Sequence, residues 1–188
     1  MTKTYENMNM KARAFPPSYS QGVDLHPVKI YSPQTGCKEE EKDRAILDEA
    51  VMEIPKDDLA IIGGDLYAHV GKARDSYKRH HDGFGYGERN DEGEHVLKFA
   101  QAFDLALTNT YYKKKDSHLI TYEGGTRKTQ LDYMLISSRR LKDVIDCKVI
   151  PGEDFDAQHK LLVMDLHLTN KYTQNIIKLE PYIKCGRF

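Results

Sequence analysis

The spacing of apolar residues along the chain predicts a mixture of short strands and helices. Residues 38–53 have apolar side chains at nearly helical spacing and are followed by Pro55. A second helical stripe covers residues 90–102, where Asn90 is a good N-cap. Short apolar or alternating runs predict strands at residues 28–31, 59–62, 105–108, 119–122, 131–136, 144–150 and 161–168. Strands and helices that do not alternate strictly predict a mostly antiparallel α/β sandwich.

The polar segments predict where this domain begins and ends. Residues 1–26 contain Pro16-Pro17 and little periodicity, which predicts loop or disorder. The domain is predicted to cover residues 27–168, and residues 169–188 have the composition of a linker-like tail. Residues 71–89, rich in glycine and histidine, are predicted to form a long ordered loop.

Composition excludes few functions. The 188 residues suffice for one domain, and the net charge of −1 gives no global basic signal for nucleic acid. Charge is uneven, however, with acidic residues concentrated in 38–58 and basic residues in 111–142. Such asymmetry could dock a polyanion on one side, although a solvated helix and Lys-rich turns explain it more simply.

The cysteines and the N-terminus indicate a cellular compartment. The three cysteines, Cys37, Cys147 and Cys185, are far apart and form no CxxC motif. This pattern argues against a disulfide framework or a zinc site and favours a reducing environment. No apolar run is long enough to span a bilayer, and no signal-peptide pattern is present. We therefore expect a soluble intracellular protein of the nucleus or cytoplasm, with no membrane partner.

Asp65 is the first candidate for chemistry. A short apolar run leads through Gly63-Gly64 to this carboxylate, so a buried strand would present Asp65 at its end, where sites of α/β proteins form. Glycines at that point allow a ligand or another backbone to come close. The alternative is a Gly-Gly turn followed by a solvated aspartate.

Asp132 and His159 are two further candidates. Asp132 stands in an apolar strand, on the side opposite Leu131 and Tyr133, and an unpaired buried charge costs several kcal/mol. It therefore needs a partner, which could be a nearby backbone or hydroxyl group or a catalytic histidine. His159 precedes the last predicted strand, where a histidine can contact phosphate or transfer a proton, although most single histidines do neither.

In order and context these motifs resemble those of endonuclease/exonuclease/phosphatase enzymes. The series is Tyr31-Ser32-Pro33, Gly64-Asp65, Thr121-Tyr122, Leu131-Asp132-Tyr133 and His159. More narrowly, the chain resembles the apurinic-type endonuclease domain of RTE-clade non-LTR retrotransposons and craniofacial development protein 2-like proteins. The runs that carry this resemblance are CKEEEKDRAILDEAVMEIP, GFGYGERNDEGEHVLKFAQAFDLALTNTYYKKKDSHLITYEGGTRKTQLDYML and DCKVIPGEDFDAQHKLLVMDLHL, and it extends over residues 29–168.

The resemblance implies a four-layer α/β sandwich whose site lies at the ends of two sheets. Phosphodiester hydrolysis by such enzymes uses Mg²⁺ or Mn²⁺ and no small-molecule cofactor. By position, Asp65 would activate or orient the water, and Tyr31 would place its phenol near the phosphate. His159 would bind a phosphoryl oxygen, and Asp132 would hold the imidazole in its tautomer. Asp65 and His159 would form a partial metal site.

Departures from the family pattern imply a damaged site. The family has Gly-Asp-x-Asn, but Tyr67 occupies the Asn position and has no amide to donate to the transition state. Gln158 stands where an aspartate usually precedes the late histidine, but close RTE relatives share this change, so it counts for less. The N-terminal part of the domain, which supplies the principal metal-binding Glu and several strands, is expected to be missing.

The resemblance therefore implies a truncated, degenerate DNA endonuclease with little or no activity and a weak or lost metal site. DNA would be its partner. The alternative is a non-catalytic remnant of the same domain that binds nucleic acid or protein.

Overall fold

The computed structural model describes residues 3–7, 10–15, 25–31, 51–55, 59–154 and 158–167. In the first three segments, and at residues 153 and 154, only the backbone is described. In chain order the strands are β1 (Lys3–Asn7), β2 (Met10–Phe15), β3 (Leu25–Tyr31), β4 (Leu59–Asp65), β5 (Leu105–Leu107), β6 (Tyr122–Gly124), β7 (Arg127–Thr129), β8 (Asp132–Ser137), β9 (Val144–Asp154) and β10 (Lys160–His167). The α-helix α1 (Asp91–Ala102) lies between β4 and β5.

The strands form two four-stranded mixed sheets and a hairpin. The first sheet has the order β1-β2-β10-β9, with β2 and β10 parallel and the other pairs antiparallel. The second has the order β3-β4-β8-β5, with β3 and β4 parallel and the other pairs antiparallel. The hairpin joins β6 to β7. The mostly antiparallel α/β character predicted from the sequence is therefore confirmed.

An apolar core lies between the two sheets. It contains alternate residues of the paired strands, which are Leu59, Ile61, Met134, Ile136, Val144, Cys147, Val149, Leu162, Met164 and Leu166. Successive strand residues point to opposite faces of a sheet. Asp65 is therefore on the same face of β4 as Leu59 and Ile61, and Asp132 is on the same face of β8 as Met134. Both aspartates belong to the face that looks toward the first sheet.

A second core packs α1 against the other face of the second sheet. It includes Leu97 and Ala100 of the helix together with Leu105, Tyr133 and Leu135 of the strands. The predicted cap is confirmed, because the Asn90 side chain accepts the Gly93 N–H at 2.9 Å. The described residues thus form three layers, sheet on sheet on helix. A fourth layer stays a prediction.

One strand prediction in the middle of the chain needs correction, and one strand there was not predicted. Residues 119–122 were predicted as a strand, but Leu119 and Ile120 donate their N–H groups back to the Asp116 carbonyl, each at 2.9 Å, and close a 3₁₀ turn. The strand begins at Tyr122, and its partner β7 was not predicted. The hairpin turn contains Gly125, whose φ of 60° is a left-handed conformation that suits glycine.

The prediction of loop or disorder for residues 1–26 is wrong over β1 and β2. The sequence of β2 alternates apolar and basic residues in Met10, Lys11, Ala12 and Arg13, which is the period of a strand. β2 pairs with β10 over six residues, from Met10 to Phe15. Of the predicted helix at 38–53, only Val51 to Glu53 belong to the described residues, and Val51 and Met52 are helical. The predicted tail at 169–188 lies outside the described residues.

Residues 71–89 form an ordered loop as predicted, with a 3₁₀ turn at Asp75–Tyr77. Its His81 is fully buried, and both ring nitrogens bond to backbone groups, to the Gly71 carbonyl and the Gly83 N–H. These bonds give His81 a structural role. Within the described residues, no helix combines the length and the apolar character needed to cross a membrane.

Gly93→Ala should destabilise the fold even though Gly93 lies in a helix. Alanine ordinarily gains about 1 kcal/mol over glycine there. A Cβ at Gly93, however, would overlap the backbone carbonyl of His69, where the segment after β4 crosses the start of α1. We expect a loss of roughly 1–3 kcal/mol in the free energy of unfolding, measured by urea titration. The exposed control Gln101→Ala should change it by less than about 0.5 kcal/mol. A stabilised Gly93→Ala would contradict this close crossing.

Candidate active site

Asp65 ends β4 and is almost completely buried, with 7% of its surface exposed. One carboxylate oxygen, Oδ1, accepts the Tyr67 N–H at 3.0 Å. In the second sheet the Asp65 Cα is paired with that of Asp132 on one side and that of Tyr31 on the other. The backbones of three predicted site residues therefore lie side by side.

Asp132 and His159 are in direct contact. His159 Nδ1 lies 3.1 Å from Asp132 Oδ2, and Asp132 is fully buried. Since a carboxylate only accepts, Nδ1–H donates to it. The contact predicted from the sequence is confirmed, although the catalytic roles of these residues stay predictions. The other ring nitrogen, Nε2, lies 3.8 Å from Asp65 Oδ2, so the imidazole stands between two carboxylates.

The β6–β7 hairpin holds His159 in this place. His159 forms an isolated bridge with Tyr122, whose ring packs edge-on against the imidazole with centroids 5.1 Å apart. The Glu123 N–H donates to the Gln158 carbonyl at 2.9 Å, and the Glu123 carboxylate pairs with Lys160 at 2.9 Å. Residues on both sides of His159 are thus bonded to β6.

The surroundings of Asp65 change its acidity. The pKa of Asp65 is raised to about 7. Burial is the largest cause of this rise, and the charge of Asp132 is the second. The Tyr67 N–H and His159 oppose this shift. Near pH 7 the Asp65 carboxyl therefore exchanges a proton readily, which is the property that a general acid or base needs.

The described residues do not make a complete metal centre. Among them, no group of three or more His, Cys, Asp and Glu side chains is arranged to hold a metal ion. Mg²⁺ requires several oxygen ligands in octahedral geometry. Asp132 is fully buried and accepts from His159, so Asp65 would be the main carboxylate available to an ion. The metal site expected at Asp65 and His159 stays a prediction.

Tyr67 has a backbone conformation that suits a different residue. Its φ of 48° is left-handed, a region that asparagine and glycine enter readily and that costs other residues roughly 1–2 kcal/mol. The resembled family carries Asn at this position. The local backbone thus agrees with the Gly-Asp-x-Asn pattern, although the side chain departs from it.

Asn109 and Tyr122 are two residues near the site for which the sequence suggested no role. Asn109 is buried, and its Nδ2 donates to the Asp132 carbonyl at 3.1 Å. Tyr122 belongs to a motif of the resemblance, but nothing in its spacing indicated a contact with His159. Both contacts join residues more than twenty positions apart, and no local pattern encodes them.

The fold is similar to that of a solved nuclease domain. The comparison is with the "Endonuclease domain of TRAS1, a telomere-specific non-LTR retrotransposon", with a TM-score of 0.50 and 14% sequence identity. The match covers 90% of this chain and 62% of that one, so the chain spans less than two thirds of its structural neighbour. At this identity the similarity concerns the fold alone. No family model and no curated protein sequence matches the chain.

Asp65→Asn should stabilise the protein at pH 8. The carboxyl has a pKa of 3.8 when unfolded and about 7 when folded, so the folded state binds the proton more tightly. Stability is therefore lost as the pH rises from about 4 to 7, and above 7 the full penalty of burying the charge remains. Asparagine avoids this penalty and can still accept the Tyr67 N–H. We expect a gain of roughly 1–4 kcal/mol at pH 8 and a smaller one at pH 5, from urea unfolding.

Asp143→Asn is the matched control for Asp65→Asn. Asp143 is equally buried but pairs with Arg140 at 2.8 Å, so this variant should lose stability at pH 8. Loss of stability in Asp65→Asn at pH 8 would contradict the raised pKa of Asp65.

Proposed function

We propose that the chain is a degenerate DNA endonuclease domain of the kind found in RTE-clade non-LTR retrotransposons and craniofacial development protein 2-like proteins. It would hydrolyse phosphodiester bonds slowly. The observation that supports this most is the Asp132–His159–Asp65 arrangement, with its 3.1 Å and 3.8 Å separations. It lies at the ends of two packed sheets in a fold similar to that of a retrotransposon endonuclease.

Each residue has a distinct role in this proposal. Asp132 fixes the imidazole through Nδ1 and stabilises its protonated form. The protonated ring donates from Nε2 to a phosphoryl oxygen, where negative charge develops in the transition state. Asp65, with a pKa of about 7, accepts a proton from the attacking water. Tyr31, whose Cα is paired with that of Asp65, would place its phenol near the phosphate.

Two features support low activity. Tyr67 replaces an amide donor, and loss of one such donor costs roughly 100- to 1000-fold in rate. The proposal also gives a metal ion Asp65 as its main carboxylate, because Asp132 is fully buried and accepts from His159. In this proposal Mg²⁺ or Mn²⁺ is held weakly, and Tyr67→Asn by itself should recover little activity.

A non-catalytic role in nucleic-acid binding is the second candidate. It is favoured by the loss of the amide at Tyr67 and by two exposed basic residues, Arg127 and Lys128, on the hairpin that contacts His159. Cations at that position could contact phosphates without any cleavage. Cleavage and binding assays distinguish the two candidates.

We expect the purified protein to nick supercoiled plasmid in Mg²⁺ or Mn²⁺ at least 100-fold more slowly than the TRAS1 endonuclease domain. His159→Ala should abolish the remaining nicking, because it removes the donor to the phosphoryl oxygen. His167→Ala is the matched control, since His167 is exposed at the other end of β10, and it should leave the rate unchanged. The rate is measured by gel electrophoresis, with EDTA as the metal-free control.

Three results would change this assignment. Nicking that survives in His159→Ala would place the activity elsewhere or in a contaminant. Fast nicking that disappears in His159→Ala would refute the proposed degeneracy. Absence of nicking together with DNA binding that weakens in Arg127→Ala, measured by fluorescence anisotropy, would favour the non-catalytic candidate.

A further inference from the structure

The outer edge of β8 is held by side chains where it approaches the site. β5 pairs with β8 only as far as Leu107 opposite Leu135. Beyond that point the Asn109 side chain, in place of β5, bonds to the backbone of β8. Its Nδ2 donates to the Asp132 carbonyl at 3.1 Å and its Oδ1 accepts the Met134 N–H at 3.4 Å. The first residues of β8 thus depend on side-chain partners along this edge.

Thr121 completes this edge and connects it to the first sheet. Its Oγ1 accepts the N–H groups of Leu131, at 2.9 Å, and Asp132, at 3.0 Å. Its backbone carbonyl accepts the Lys160 N–H at 2.8 Å. Thr121 is fully buried. One residue therefore bonds directly to Asp132 and to the residue that follows His159.

We infer that Thr121 is a positioning residue that sets the contact between Asp132 and His159. Asp132 begins β8 of the second sheet and His159 directly precedes β10 of the first, and the backbone pairing within either sheet does not fix their separation. Thr121 provides that link with two bonds to the start of β8 and one to the start of β10. Its effect on cleavage rests on the proposed function, but its effect on the contact does not.

The hydroxyl group is the part of Thr121 that carries this role. A hydroxyl oxygen has two lone pairs and can accept both N–H groups. Valine has nearly the same shape but no acceptor, so Thr121→Val leaves two buried N–H groups unsatisfied. The start of β8 should then shift to find other partners and move the Asp132 carboxylate away from His159. A displacement of about 1 Å in an active site can lower the rate roughly 100-fold.

The test uses the ¹⁵N NMR shifts of the His159 imidazole, which report the ring nitrogen that carries the proton. The signal is assigned by its loss in His159→Gln. The native protein and Thr121→Ser should both show Nδ1–H bonded to Asp132. Thr121→Val should lose this signature and nick DNA roughly 10- to 100-fold more slowly. The matched control Thr110→Val removes an equally buried hydroxyl that bonds the Leu107 carbonyl at 2.7 Å, and it should keep the signature.

The shifts decide the inference even if the native protein does not cleave DNA. Retention of the Nδ1–H signature in folded Thr121→Val would overturn it, as would its loss in Thr110→Val. Should Thr121→Val fail to fold, Thr121→Ser decides: loss of the signature in this variant would show that the hydroxyl does not set the contact. Absence of nicking with an intact pattern of shifts would count against the proposed function alone.

Discussion

The antiparallel pairing of β4 with β8 is the interaction on which the site depends. It sets Asp65 directly opposite Asp132, and the strand period turns both carboxylates toward the first sheet. Two buried like charges at neighbouring positions cannot both ionise without compensation. The structure meets this constraint in two ways. Asp65 has its pKa raised to about 7, and His159 stands between the carboxylates.

The packing of the two sheets brings the histidine to that position. His159 lies immediately before β10 of the first sheet, while both aspartates belong to the second. The apolar core between the sheets fixes their spacing, and the hairpin fixes the segment around His159. Fold and site are therefore coupled at one edge, through the core that contains Met134 and Leu162.

The sequence predicted what local patterns encode. A carboxylate inside an apolar strand must have a partner, which pointed to Asp132, and Asn90 before an apolar stripe predicted the start of α1. Some features could not be predicted in this way. The hairpin strand β7 has only three residues, and the bonds of Thr121 join segments about ten and forty positions apart. Such partners depend on the packing of distant elements, which periodicity does not reveal.

In the turn after β4, the backbone conformation and the chemistry of the side chain are two separate matters. The backbone of Tyr67 has a left-handed conformation. This conformation costs a tyrosine residue more free energy than it costs an asparagine. Other contacts hold the turn in this conformation. The Tyr67 N–H donates to the Asp65 carboxylate, and the backbone that follows Tyr67 passes close to the backbone at Arg89 and Gly93. These contacts involve the backbone of the turn and not the side chain at position 67. Tyr67 therefore occupies this turn while Asp65, Asp132 and His159 form their arrangement beside it.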